Sequence, residues 1–216
     1  MSAFELSDGL LAPLGDFEGG LNPVHVALAP DGASVIFAYY TSGAVMVFGL
    51  DPDRGVGERR QVLRLPGEPG PNTAQQHGSH PHHVVFDRTG ARVFIADKGL
   101  DRVFVCDVDQ EGGLLTLASE IKMAPGAGPR HLVFGSSGAV IYVNNELDAT
   151  VTVLGYDARS GRLVELQTLA TLPGGAHGPN LTGEIVFAAN HRGLFVSNRG
   201  EDNIACFEVD PASELI

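Results

Sequence analysis

Apolar and polar positions alternate in short bursts along this chain. "RVFVCDVD" (102–109) and "VTVLGYD" (151–157) carry the period-two spacing of strands that half face a neighbour. The bursts are separated by glycine turns, as in "EGGLLTL" (111–117) and "SGRLVEL" (160–166), where a G-x-L step leads into a further strand. Four segments superpose on one another without internal gaps: 22–51, 80–109, 128–157 and, more loosely, 183–210. Proline and histidine recur at the same offsets as Pro23/His25, Pro81/His83 and Pro129/His131, and a turn follows at Gly32, Gly90 and Gly138, with His191 in the matching place of the fourth.

Each copy reads as strand, turn, strand, polar loop, strand, turn, strand. Four short antiparallel strands in a repeat of about 50 residues predict an all-β fold, a β-propeller of four-stranded blades. A β-sandwich would account for the strands but not for the repeat. The predicted units are 1–21 (outer strands of a preceding blade), 22–79, 80–127 and 128–182 (blades) and 183–216 (an incomplete blade). "SAFELSDGLL" near the start resembles "ACFEVDPASELI" at the finish, so the chain is expected to be an open arc, a slice of a longer propeller that needs missing blades or self-association to close.

Composition agrees with this picture. Gly 28 and Pro 13 against 7% aromatic residues and no Trp suit many tight turns rather than long helices. A net charge of −12 argues against nucleic-acid or anionic-membrane partners. No apolar run approaches the roughly 20 residues of a membrane span, and the N-terminus lacks a signal-peptide pattern, so a cytoplasmic protein is expected. Cys106 and Cys206 each lie in an apolar run and are expected to be buried thiols.

Candidate chemistry follows from the repeat. In a propeller the first strand of each blade lies nearest the axis, and its opening residue sits beside the residue that closes the second strand. The opening positions are Val24, His82, Arg130 and Gly183, and the closing ones Tyr40, Lys98, Glu146 and Arg199. Cations and a histidine around one carboxylate would bind a small anion and stabilise an oxyanion. Each residue also has a plainer reading. His25, His83 and His131 form a column that suits a repeated structural hydrogen bond, Glu146 could be a buried structural ion-pair partner, and Lys98 could bridge to Asp101 or Asp148. His80, in the loop "GEPGPNTAQQHGSHP" with His77, is a further substrate-binding candidate. "HGSHPHH" offers imidazoles, but no nearby carboxylate or thiol completes a familiar ligand spacing, so no metal or other cofactor is expected.

"GPRHLVF", "YVNNELDATVTV", "FVSNRGEDNI", "IADKGLDRV" and "HPHHVVFD" resemble, in order and spacing, the seven-bladed propeller lactonases, which include bacterial-type 6-phosphogluconolactonases and the fungal 3-carboxy-cis,cis-muconate lactonizing enzyme. The resemblance implies a site that opens or closes a lactone ring, with catalytic roles on His82, Arg130, Glu146 and Arg199. The expected substrate is a small anionic lactone, most simply 6-phosphogluconolactone. Arg130 and Arg199, with Lys98 and His80, would hold it, and Glu146 or His82 would activate water. The alternatives are lactonization of a muconate and a non-catalytic propeller scaffold.

Overall fold

The structure, a computed structural model, describes residues 1–51, 55–109, 111–172, 174 and 179–216; parts of the units 22–79, 80–127 and 128–182 lie outside it. The chain opens with a hairpin of β1 (Ser2–Ser7) and β2 (Leu10–Asp16). Three meandering four-stranded blades follow. The first holds β3 (Pro23–Leu28), β4 (Ser34–Tyr39), β5 (Ala44–Asp51) and β6 (Gly55–Leu63). The second holds β7 (Pro81–Phe86), β8 (Arg92–Asp97), β9 (Arg102–Val108) and β10 (Leu115–Lys122). The third holds β11 (Pro129–Phe134), β12 (Val140–Asn145), β13 (Thr150–Asp157) and β14 (Arg162–Ala170). A three-stranded sheet of β15 (Leu181–Phe187), β16 (Gly193–Arg199) and β17 (Asn203–Glu208) completes the described chain.

The middle strands read as unbroken apolar runs because each face of a blade is covered by a different neighbour. On β8, Val93 and Ile95 enter the core shared with the first blade, while Phe94 and Ala96 enter the core shared with the third. On β12 the same split sends Ile141 and Val143 one way and Tyr142 the other. At the ends of the arc the outer faces are exposed, with Val26 and Leu28 on β3 and Val186 and Ile204 on the last sheet. The arc does not close among the described residues.

The turn between the first two strands takes a left-handed residue in every copy, Gly32, Gly90 and Gly138 at φ 70, 72 and 76° and His191 at 55°. The loop after the second strand repeats a second left-handed position, at Gly43, Asp101, Ala149 and Asp202. One expectation is corrected. Cys106 is buried, its thiol pushed up to about 12 by burial, but Cys206 is exposed. It lies on the edge strand of a three-stranded sheet, where no fourth strand covers it among the described residues.

Candidate active site

The stretch from Gly128 to His131 shows how the fold builds the site. Gly128 is left-handed (φ 64°), and a Cβ there would meet Leu147 Cγ at 2.6 Å. Pro129 opens β11 on the axial edge, where its missing N–H breaks no ladder. Pro129 pairs with Asn145 and His131 with Asn144, so Arg130 between them is the extra residue of a β-bulge. Val24 and His82 sit in the same bulge of their blades, between Pro23 and His25 and between Pro81 and His83. A bulge turns a side chain out of the ladder. In the second and third blades it turns His82 and Arg130 toward the axis.

Arg130 meets Glu146. Its Nε lies 2.9 Å from Oε2 in an ion-pair contact whose N–H is not aligned as a hydrogen bond. Lys98 Nζ donates to Glu146 Oε1 at 2.8 Å, and Arg199 Nη2 lies 3.2 Å from the same oxygen. Glu146 thus gathers cations from the second blade, the third blade and the three-stranded sheet. The Glu146 and Lys98 side chains are only 6% and 4% exposed, whereas Arg199 is 49% exposed and presents its guanidinium to solvent. Lys98 also donates to Gln75 Oε1 at 3.0 Å and stands 5.5 Å from the centroid of the Tyr40 ring, so it joins the axial cluster rather than Asp101 or Asp148.

His82 is buried beside this cluster. Its ring lies 5.2 Å from that of His131 and 5.8 Å from that of Tyr40, and its Nδ1 has no partner among the described residues. Burial, reinforced by the Arg130 charge, His131 and Lys98, holds its pKa down to about 2. The imidazole is neutral. His80 is set back from Glu146: its ring stacks on Tyr40 at 4.4 Å and its Nδ1 bonds the Tyr40 carbonyl at 2.9 Å. It therefore buttresses the Tyr40 wall.

The histidine column is a stack. Ring centroids of His25 and His83 are 3.8 Å apart, and those of His83 and His131 4.7 Å. Burial, then neighbouring imidazoles, lowers His25 to about 4 and His83 well below its usual value.

Sequence reasoning missed several contributors. Gln76 and Asp101 are buried, and Gln76 Nε2 donates to Asp101 Oδ1 (2.6 Å) and to the Lys98 carbonyl (2.9 Å). The same carboxylate accepts the amides of Gly126 (2.7 Å) and Gly128 (2.8 Å), pinning the loop that delivers Arg130. Glu184 fills the fourth place of the histidine column, a place the internal alignment could have read. A cavity lined by Leu14, Phe17, Val56 and Glu58 lies between the hairpin and the first blade and shares no residue with the axial cluster.

The model of the family described as "Lactonase, 7-bladed beta-propeller" matches residues 1–216. The chain belongs to the seven-bladed β-propeller lactonase family. It is 31% identical over 194 residues to the 6-phosphogluconolactonase of Bacillus subtilis, covering 90% of this chain and 54% of the relative. It is 30% identical over 214 residues to the probable 6-phosphogluconolactonase of Arthroderma benhamiae, again covering 54% of that relative and 94% of this chain. Among solved structures, the periplasmic gluconolactonase of Pseudomonas aeruginosa superposes with a TM-score of 0.85 at 30% identity, covering 99% of this chain and 61% of that one. A Lactobacillus plantarum protein superposes at 0.90 with 28% identity, covering 97% and 60%. The chain spans about half the length of the curated relatives it matches, 54% in both cases.

Proposed function

We propose that this chain carries the axial face of a lactonase that hydrolyses a small anionic sugar lactone, with 6-phosphogluconolactone as the best-suited substrate. The observation that carries the reading is the meeting of Lys98, Arg130 and Arg199 on Glu146, with a neutral His82 alongside. The relatives described as 6-phosphogluconolactonases support it.

In this reading the substrate's phosphate docks on Arg130 and Arg199, of which Arg199 is the more exposed. Among the described residues Arg130 uses Nη1 on the Gly183 carbonyl (2.7 Å) and Nε toward Glu146, and its Nη2 makes no hydrogen bond. Planar guanidinium edges suit bidentate contact with phosphate or carboxylate oxygens. Both oxygens of Glu146 are already engaged by cations, so its role is to hold those cations at the axis. His82, whose ring flanks the cluster, is the candidate acceptor for a proton from attacking water. A bound anion offsets the cationic repulsion from Arg130 and so strengthens His82 as a base. Water adds to the lactone carbonyl, the cations stabilise the tetrahedral oxyanion, and the ring C–O bond breaks as the ring oxygen takes up the proton that His82 accepted from the water.

Steady-state assays test the reading. Hydrolysis of 6-phosphogluconolactone well above its spontaneous rate supports it. Ultraviolet loss of a muconate, with no lactone hydrolysis, would assign the same cationic face to lactonization instead.

A further inference from the structure

The histidine column ends in a contact that differs from the rest of the stack. His131 Nδ1 lies 2.8 Å from Glu184 Oε1, and its Nε2 lies 3.0 Å from Arg130 Nη1. A guanidinium nitrogen can only donate and a carboxylate can only accept. The pair of contacts therefore fixes one tautomer, with the proton on Nδ1 facing Glu184 and a bare Nε2 facing Arg130. We propose that the Glu184–His131 pair is a positioning device for Arg130, a carboxylate-held neutral imidazole that locks the guanidinium plane so that its Nη2 edge faces the ligand. The proposal rests on the lactonase reading for its ligand, a phosphate-bearing sugar acid or its lactone, but the geometry of the pair does not.

Several features fit this role. Arg130 Nη1 also donates to the Gly183 carbonyl at 2.7 Å, so two acceptors on different strands hold one nitrogen. Gly183 has no room for a side chain: a Cβ would lie 2.5 Å from Ser197 Oγ. Its carbonyl is held in turn by Asn144 Nδ2 at 3.0 Å. His131 is fixed at its backbone by a bond from its N–H to Asn144 Oδ1 at 3.1 Å, and Glu184 Oε1 also accepts the Ile185 amide at 3.0 Å. The charged and titratable groups around His131 are Arg130 on its own strand, Glu184 from β15, His82 and His83 from β7, His25 from β3 and Glu146 beyond β12. Burial, with the Arg130 charge, lowers the His131 pKa against the opposing pull of Glu184, which agrees with a neutral ring. A protonated ring would carry an N–H on Nε2 and drive Arg130 away.

Two readouts on the intact chain test this. Long-range ¹H–¹⁵N spectra of histidine-labelled protein, assigned with His131→Gln, report the tautomer, and titration with 6-phosphogluconate reports binding. The expected result is an Nδ1–H tautomer at His131 that becomes mixed in Glu184→Ala. The 6-phosphogluconate dissociation constant should rise about tenfold in His131→Ala, while His131→Gln, whose amide oxygen can still accept from Arg130, stays within about twofold. Glu184 is exposed, so Glu184→Ala keeps the fold intact. An Nε2–H tautomer in the native protein, or a tautomer and an affinity both unmoved by Glu184→Ala, would overturn the proposal. A tautomer that behaves as expected in a protein that does not hydrolyse the lactone upholds the pair and rejects the lactonase reading.

Discussion

Lys98 and Glu146 stand 48 residues apart in the chain and 2.8 Å apart in space, each at the close of the second strand of its blade. The repeat makes them neighbours at the axis, and burial makes the contact strong. Replacing Glu146 by Gln leaves Lys98 buried without its counter-charge and removes the partner of two arginines. Breaking one side of a buried pair costs about 3 kcal/mol or more. Urea denaturation of Glu146→Gln should show that loss, with lactone hydrolysis reduced at least about a hundredfold.

Asp101 is predicted to control the arginine loop through the amides of Gly126 and Gly128. Asp101→Asn retains a residue that tolerates the left-handed backbone (φ 51°) while removing one of the two acceptor oxygens. A stability loss of about 2 kcal/mol is expected, with faster hydrogen exchange at both glycine amides. Unchanged protection there would show that the loop is held by other contacts.

His191 occupies a left-handed turn position where the other three copies have glycine. Its Cβ strain should exceed what glycine loses in unfolded-state entropy. His191→Gly is therefore expected to stabilise the protein by roughly 0.5 kcal/mol, a small rise in melting temperature. A fall would mean that the contact of the His191 ring with Phe187, at 5.0 Å, matters more than the backbone.

The imidazole stack makes stability depend on pH in a defined direction. Folded-state pKa values are depressed to about 4 for His25 and about 2 for His82, below the usual 6.5, and His83 is lowered too. Their contribution is complete above pH 6.5, where folded and unfolded states are both neutral. As pH falls below 6.5 the unfolded state takes up protons first. Stability then drops by up to about 1.4 kcal/mol per pH unit for each of the buried His82 and His83, and by less for the more exposed, solvent-screened His25, until the folded value is reached. Denaturant titrations between pH 7 and 5 should show this loss. A flat profile would contradict the buried neutral stack.

Much of this was legible in the residues. The repeat located His82, Lys98, Arg130, Glu146 and Arg199 because equal offsets in successive blades become equal heights on one axis. It could not show that His82 and Arg130 are bulge residues, since a bulge depends on pairing register. Gln75 and Gln76 were invisible for another reason: their loop has no counterpart in the other copies. Cys206 was misread because an apolar run looks the same on an edge strand as on a covered one. The loop position of His80 could not show that its ring stacks on Tyr40.

The most direct test is hydrolysis of 6-phosphogluconolactone by the native chain and by Arg199→Ala, measured side by side above the spontaneous rate. Arg199 is half exposed, so its removal should leave the melting temperature essentially unchanged. The account predicts a measurable native rate and a KM at least about tenfold higher in the variant. A native rate that Arg199→Ala leaves untouched would contradict the axial site.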